Sequence, residues 1–371
     1  MPHFWETRRA FLRALTAPVL ASAAGNWIDL FDGRTLDGWR PSENKESWKV
    51  RDGVLAADGL RSHLFYTGPV HGADFRNFEL EVEVLTHPDC NSGVYFHTSY
   101  QEKDFPQKGF KVQINNTAGG EGNYRERKKT ASLYGLRNMY KQFQPDDQWF
   151  KIRVSVRGKN IQVRLNEMLM VDYVEPTPPV IPDGMEHERF LDHETFALQC
   201  HNDGSRAFYR HVRVRPLPDN LATADPAPTV DDVFREVINV GRHNVPMVDF
   251  HVNLKGGLTL ESALAKSRRD GIEYGILAAP DAASDRWARR MQHQPVFLGF
   301  ESHSTPHSAS ALFDYVLSDS TSWTQTPAAN VDREQFMDEL VAHTVGVLEG
   351  EQLDIFASST GATFSCQAQR T

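Results

Sequence analysis

The chain has 371 residues, of which 40% are hydrophobic and 24% charged, enough apolar material for packed cores and, by length, for two domains. A net charge of −9 argues against a nucleic-acid binder, which normally carries a basic face. Three cysteines, Cys90, Cys200 and Cys366, are too few for a disulfide framework; Cys90 and Cys200 pair only if their strand ends meet, and free thiols are expected.

At the N-terminus, Thr7-Arg8-Arg9-Ala10-Phe11-Leu12-Arg13 leads into a short, weakly apolar run from Ala14 to Ala24. Ala21-Ser22-Ala23 places small residues where a signal peptidase cuts. A charged start, a modest apolar region and a small-residue cleavage site, in that order, resemble a twin-arginine export signal over residues 1–23. A periplasmic or secreted protein is therefore expected. The run is too short to span a bilayer, and no later segment is long and apolar enough to do so.

From residue 26 to 216 the pattern is that of short strands. Asp32-Gly33 and Asp37-Gly38 punctuate the stretch from Trp27 to Trp39, and Arg51-Asp52-Gly53 separates two apolar runs as a hairpin turn does. Phe78, Leu80, Val82 and Val84 alternate with Glu79, Glu81 and Glu83. Phe150 to Arg157 alternates in the same way, and Gly158-Lys159-Asn160 turns it into Ile161 to Leu165. Thr195 to His201 and Phe208 to Val214 complete the set. Strands at short spacing with turn residues between them predict an antiparallel β-sandwich.

Two of these strands have a polar face of an unusual kind. In Asn91-Ser92-Gly93-Val94-Tyr95-Phe96-His97-Thr98, alternation sends Val94 and Phe96 one way and Tyr95 and His97 the other. In Gly109 to Asn116, Lys111, Gln113 and Asn115 oppose Phe110, Val112 and Ile114. Imidazole, phenol, amide and amine together suit hydrogen bonding to a polyhydroxylated ligand. Asn91 either orients the turn or touches that ligand. The Asn-Ser-Gly step itself reads as a turn entering a strand, where Asn and Gly supply unusual backbone angles. Arg125, Arg127, Lys128 and Lys129 form a basic loop, either solvated or a lid over the sheet.

Leu30-Phe31-Asp32-Gly33 with Leu36-Asp37-Gly38-Trp39, then Asn91 to Phe96, then Gly109 to Ile114, then Ser132-Leu133-Tyr134-Gly135, resemble the 3-keto-disaccharide hydrolase-like family. The resemblance implies a concanavalin A-like jelly roll with a sugar on its concave sheet and, in some members, cleavage of 3-keto-glycosides. Such a reaction needs a base for the C2 hydrogen, donors or a cation at the enolate oxygen and a proton for the leaving oxygen. A sheet curved as in the family would offer Glu79, Glu81, Glu83, Tyr95, His97, Lys111, Gln113, Asn115, Arg153, Gln199 and His201 on one polar face. His97 or His201 is the expected base, and Lys111 or Arg153 the enolate stabiliser. Gln113, Asn115 and Gln199 would hold hydroxyls. The same face also suits a non-catalytic carbohydrate-binding module.

Residues 217–232, rich in Pro, Ala and Asp, read as a semi-rigid linker. Strands and helices then alternate over residues 233–371, predicting an α/β, partial-barrel unit. Its expected elements are strands at Val248–His251, Tyr274–Ala278, Val296–Glu301, Phe313–Asp319 and Leu353–Phe356. Helices are expected from Leu260 to Arg269, Asp285 to Gln292 and Arg333 to Glu349. Thr259 caps the first of these, without the Glu or Gln of a full capping box, since Ser262 stands there. Asp249-Phe250-His251 resembles the opening of PHP-type metal-dependent phosphoesterases, which place a second His where this chain has Asn253, a poor ligand for zinc-like metals. A degenerate or truncated domain is expected. The rival reading is a divalent-metal site of Asp249, His251 and Glu301. Otherwise the sequence names no cofactor.

Overall fold

The computed structural model describes residues 26–117, 124–185, 189–278, 285–302, 312–318, 354–356 and 365–367. The export signal and the helix expected from Arg333 to Glu349 lie outside the described residues. The first strands are β1 (Ile28–Asp29), β2 (Trp39–Pro41), β3 (Trp48–Arg51), β4 (Val54–Asp58), β5 (Ser62–Tyr66) and β6 (Asn77–Thr86). They are followed by β7 (Ser92–Thr98), β8 (Phe110–Ile114), β9 (Phe150–Arg157) and β10 (Asn160–Leu165). Then come β11 (Met168–Val174), β12 (Thr195–Cys200) and β13 (Arg206–Leu217).

These strands form two antiparallel sheets. The larger runs β11-β10-β9-β6-β13-β4-β3, with β1 on β13; the smaller runs β2-β5-β12-β7-β8. Leu80, Val82, Val154 and Val214 of the larger sheet share one core with Leu64, Val94, Phe96, Val112, Phe196 and Leu198 of the smaller. Each such side chain, taken fully out of water, contributes about 2 kcal/mol, which is what holds the two sheets face to face.

The outward face of the larger sheet is an ion-pair ladder. Glu81 lies opposite Arg153 on β9 and Arg213 on β13. Its carboxylate accepts from Arg153 Nη2 at 2.8 Å and Arg213 Nε at 2.9 Å. Glu79 takes Arg157 and Arg215, and Glu83 accepts from Arg210 Nε at 2.7 Å. Cross-strand pairing of opposite charges stabilises the sheet and commits these carboxylates to arginines. Glu79, Glu81, Glu83 and Arg153 are therefore not on the sheet that carries Tyr95 and Lys111, contrary to the expectation of one shared polar face.

β13 extends to Leu217, and the linker is pinned by Asn77 Nδ2, which donates to Pro218 O at 2.9 Å. A helix with no counterpart among the expected elements, α1 (Asp232–Gly241), follows, its start capped by Asp231 Oδ1 accepting from Phe234 N. Next come β14 (Val248–Asn253), α2 (Leu260–Asp270), β15 (Glu273–Ala278), α3 (Asp285–Met291), β16 (Phe297–Ser302) and β17 (Tyr315–Ser318). The four strands pair in parallel and in chain order, an α/β winding of the expected kind. At α2 the capping box is complete after all. Ser262 Oγ accepts from Thr259 N at 3.0 Å while Thr259 Oγ1 accepts from Ser262 N, so the short hydroxyl reaches as a longer Glu would. The strand at Ile355 does not extend that sheet. β18 (Asp354–Phe356) pairs antiparallel with β19 (Ser365–Gln367).

The α/β unit packs on residues 127–141. Glu273 Oε2 accepts from the backbone N–H of Tyr140 and Lys141, Asn138 Nδ2 donates to Gly241 O and Arg137 Nη2 to Arg269 O. Cys90 and Cys200 are buried free thiols. Among the described residues no helix is long and apolar enough to cross a membrane.

Candidate functional site

The outward face of the smaller sheet gathers a different set. β7 and β8 pair with Tyr95 opposite Lys111 and Gly93 opposite Gln113; β12 and β5 pair with Gln199 opposite His63. Alternation then puts His63, Tyr95, Lys111, Gln113 and Gln199 on one face, all of them buried. The Lys111 stem crosses Gly93: a Cβ at Gly93 would lie 2.4 Å from Lys111 Cε. Gly93 serves close approach, not the unusual backbone angle a turn would ask of it.

The hydrogen bonds on this face are unfinished. Gln199 Nε2 donates to His63 Nε2 at 3.0 Å and to Tyr95 OH at 3.2 Å, so both amide hydrogens are used. An amide nitrogen only donates, which places the His63 ring proton on Nδ1. Gln113 Nε2 donates to Asn91 Oδ1 at 2.8 Å. His63 Nδ1, Asn91 Nδ2, Gln113 Oε1 and Gln199 Oε1 are buried with no partner. Two donors and two acceptors thus remain. Native proteins leave few such groups, because each costs about 1–3 kcal/mol when unmet. Burial, with the neighbouring Lys111 charge, holds the His63 ring far below its usual range and keeps it neutral.

A charged wall closes one side. Leu133 bridges to Val112 and so lays residues 124–141 along the edge at β8. Asn115 Nδ2 donates to Glu126 O at 2.6 Å and Lys128 O at 3.0 Å; it positions this wall instead of holding ligand hydroxyls. The Glu126 carboxylate accepts from Tyr124 OH at 2.8 Å, Tyr134 OH at 3.0 Å and Lys128 N at 3.0 Å, with Lys128 Nζ at 3.6 Å. Burial works against that anion, but the Lys128 charge and backbone N–H and the Lys111 charge together hold its pKa below the ordinary value. Arg127, Lys128 and Lys129 are buried, Lys128 to 1% exposure, so of the basic stretch only Arg125 is solvated.

Lys111 is the most perturbed cation here. Burial depresses its pKa; Glu126 pulls it back up, and the charges of Arg189 and Lys128 push it down, leaving it at about 7. Lys111 Nζ and Lys128 Nζ lie 4.9 and 4.8 Å from the centre of the same Tyr134 ring. Burial raises the Tyr95 hydroxyl to about 12. His201 stands at the rim, half-buried, 5.1 Å from the ring of Phe105, which is 40% exposed. Its Nδ1 meets Asn202 Oδ1 at 2.8 Å, so Nδ1 carries the proton and Nε2 keeps its lone pair. Burial and the Lys111 charge lower its pKa to about 4.

The structure thus brings together Asn91, Tyr95, Lys111, Gln113, Gln199 and His201 from the residues read in the sequence. His97 does not join them. Its backbone turns left-handed (φ 54°), breaking the alternation, and its ring packs 5.7 Å from Phe78 and 5.6 Å from Phe96. Nε2 donates to Arg76 O and Nδ1 accepts from Asp192 N, so both nitrogens are spent on the backbone. His63, Glu126 and Arg189 escaped the sequence reading. His63 lies in a strand, Ser62–Tyr66, whose every residue is buried, leaving no apolar/polar alternation to notice; Glu126 and Arg189 lie outside any strand.

Of the expected metal ligands, Asp249 and His251 have described side chains. Asp249 Oδ1 accepts from the backbone N–H of His251 at 2.9 Å, and the His251 side chain is exposed. The Glu301 side chain lies outside the described residues. Among the described residues no group of three or more His, Cys, Asp or Glu is placed to hold a metal ion.

Residues 26–215 match the model of a family described as 3-keto-alpha-glucoside-1,2-lyase-like domain. A curated relative, the 3-keto-disaccharide hydrolase of Bacteroides thetaiotaomicron, is 30% identical over 80 residues; the matched stretch is 20% of this chain and spans 28% of the relative's length. Among solved structures, a candidate glycosyl hydrolase from Parabacteroides distasonis is 17% identical with a TM-score of 0.42, covering 52% of this chain and 94% of that one. The carbohydrate-binding module CBM66 from Bacillus subtilis is 11% identical with a TM-score of 0.31, covering 48% of this chain and 95% of that one.

Proposed function

The chain belongs to the 3-keto-alpha-glucoside-1,2-lyase-like family, and we propose that it cleaves 3-keto-glycosides on the outward face of its smaller sheet. One observation carries this reading: buried donors at His63 Nδ1 and Asn91 Nδ2 stand unpaired beside buried acceptors at Gln113 Oε1 and Gln199 Oε1. A sugar hydroxyl both donates and accepts, so a polyol satisfies such a mixed set where an anion or an apolar ligand leaves half of it unmet.

The chemistry follows from the ketone. A carbonyl at C3 acidifies the hydrogen on C2; its removal lets the C1–O bond break. His201, neutral and with Nε2 free, takes that hydrogen. Lys111 faces the C3 oxygen. Tyr95, which accepts from Gln199, keeps its own proton for the leaving oxygen. Water adding to C1 with a proton returning to C2 completes hydrolysis; without that addition the C1=C2 unsaturated product of a lyase remains. The Arg8-Arg9 segment directs this activity to the periplasm or the medium.

The test is incubation of purified protein with 3-keto-trehalose and with trehalose. Release of a monosaccharide from the keto form alone is expected, with a loss of at least about a hundredfold in kcat for His201→Ala. Binding of both sugars without cleavage identifies a carbohydrate-binding module instead. Phosphoester hydrolysis dependent on added manganese or zinc, with no sugar cleavage, moves the function to the α/β unit.

A further inference from the structure

We propose that Lys111 attacks the substrate's C3 ketone as an amine and carries the sugar as a protonated imine through the bond-breaking step. This rests on the 3-keto-glycoside reading above and assigns the side chain a covalent role that reading does not require.

Four features of the geometry point there. Lys111 Nζ makes no hydrogen bond to any described residue, although the residue is 6% exposed. The contact described for the amine is the Tyr134 ring, 4.9 Å away, and among the described residues no acceptor oxygen or nitrogen holds a proton on it. Its stem is held against Gly93, which fixes the direction of approach. A second ammonium, Lys128, lies against the same Tyr134 ring, and its charge disfavours protonation of Lys111. The buried carboxylate of Glu126 is committed to Tyr124, Tyr134 and Lys128, and among the described residues no carboxylate makes a hydrogen bond to Lys111. Desolvation together with an adjacent cation is the environment that turns a lysine into a nucleophile near neutral pH, and its depressed pKa agrees with this.

The steps balance with water alone. The neutral amine adds to the C3 carbonyl, takes up a proton and expels water, giving the C3=N iminium. A positively charged nitrogen draws electrons from C2 more strongly than a carbonyl oxygen does. His201 Nε2 removes the C2 hydrogen, and the pair left behind forms the C2=C3 enamine. The nitrogen lone pair then restores C3=N as the C1–O bond breaks and C1=C2 forms; the leaving oxygen takes a proton. Water adds to C1, C2 is reprotonated, and a second water frees the ketone and returns the amine.

Cyanoborohydride reduces iminium ions far faster than ketones, so it distinguishes the covalent from the purely electrostatic role. The full chain is incubated with 3-keto-trehalose with and without the reductant, then digested and mapped by mass spectrometry. The expected result is inactivation that needs both reagents, and a single adduct on Lys111 weighing the keto-sugar less one oxygen. Lys111→Arg, which keeps the charge but forms no imine, should lose at least about a thousandfold in kcat; a thermal melt confirms that it folds. Wild-type turnover with no adduct, adducts spread over surface lysines, or an arginine variant within a few-fold of wild type overturns the covalent role and leaves the sugar reading standing. Absence of both turnover and adduct overturns the sugar reading and this inference with it.

Discussion

The side chain of Lys111 lies across the backbone of Gly93, so closely that an added Cβ would sit 2.4 Å from Cε and 3.0 Å from Cγ. The two residues sit on paired strands with Lys111 opposite Tyr95 and Gln113 opposite Gly93, and the contact is diagonal. The absent side chain at one strand position thus sets the course of the amine on the next.

Gly93→Ala should therefore damage activity more than stability. Displacing a flexible stem costs about 1–3 kcal/mol, while moving the amine by even an ångström costs about a hundredfold in rate. The expected outcome is a modest drop in Tm with kcat/KM on 3-keto-trehalose reduced by roughly that factor. Full activity would show that the position of the Lys111 stem is unimportant.

Lys111 must be uncharged to act as an amine, so activity rises with pH through its pKa of about 7. Glu126 is the neighbour that raises that pKa, and Glu126→Gln removes it. The acid limb of kcat/KM should move to lower pH in the variant, at an expense in stability of about 3–5 kcal/mol for breaking a buried pair. A limb that stays in place would assign it to some other group.

His97 is held neutral, its pKa lowered by burial from 6.5 to about 4. The unfolded chain then binds more protons than the folded one between those two values. Stability is full above pH 6.5 and falls as the pH drops through 4, by roughly 3 kcal/mol from this residue. His63 is shifted the same way and adds to the slope. Urea titrations from pH 7 to 4 should show this decline, and a flatter one in His97→Gln. Because His97 lies off the sugar face, that variant should retain kcat wherever it is folded.

Arg153 belongs to the ladder on the opposite sheet, where Glu81 keeps Arg213 and Lys151 if it is removed. Arg153→Gln should cost about 1 kcal/mol or less and leave kcat and KM unchanged. A large kinetic effect would mean that the ladder face, and not the Lys111 face, meets the substrate.

Much of this fold was legible in the chain itself. Alternation from Phe78 to Val84 and from Phe150 to Arg157 marks strands, and the Gly and Asp punctuation marks the turns between them. The parallel strands beyond residue 247 follow the alternation of strand and helix, while α1 was missed because its apolar positions adjoin a Pro-rich linker.

Which polar faces belong together was another matter. A period of two tells which side chains share a face of one strand, and by that rule Glu81, Arg153, Lys111 and Gln113 are equivalent. Strand pairing decides that the first two lie on one sheet and the last two on the other, because hydrogen bonding joins β6 to β9 but β8 to β7. The left-handed backbone at His97 and the irregular stretches carrying Glu126 and Arg189 break the repeat altogether. Local sequence dictates local periodicity, which has no memory across a turn; only the packed chain brings an amine, an imidazole and a set of unpaired amides to one surface.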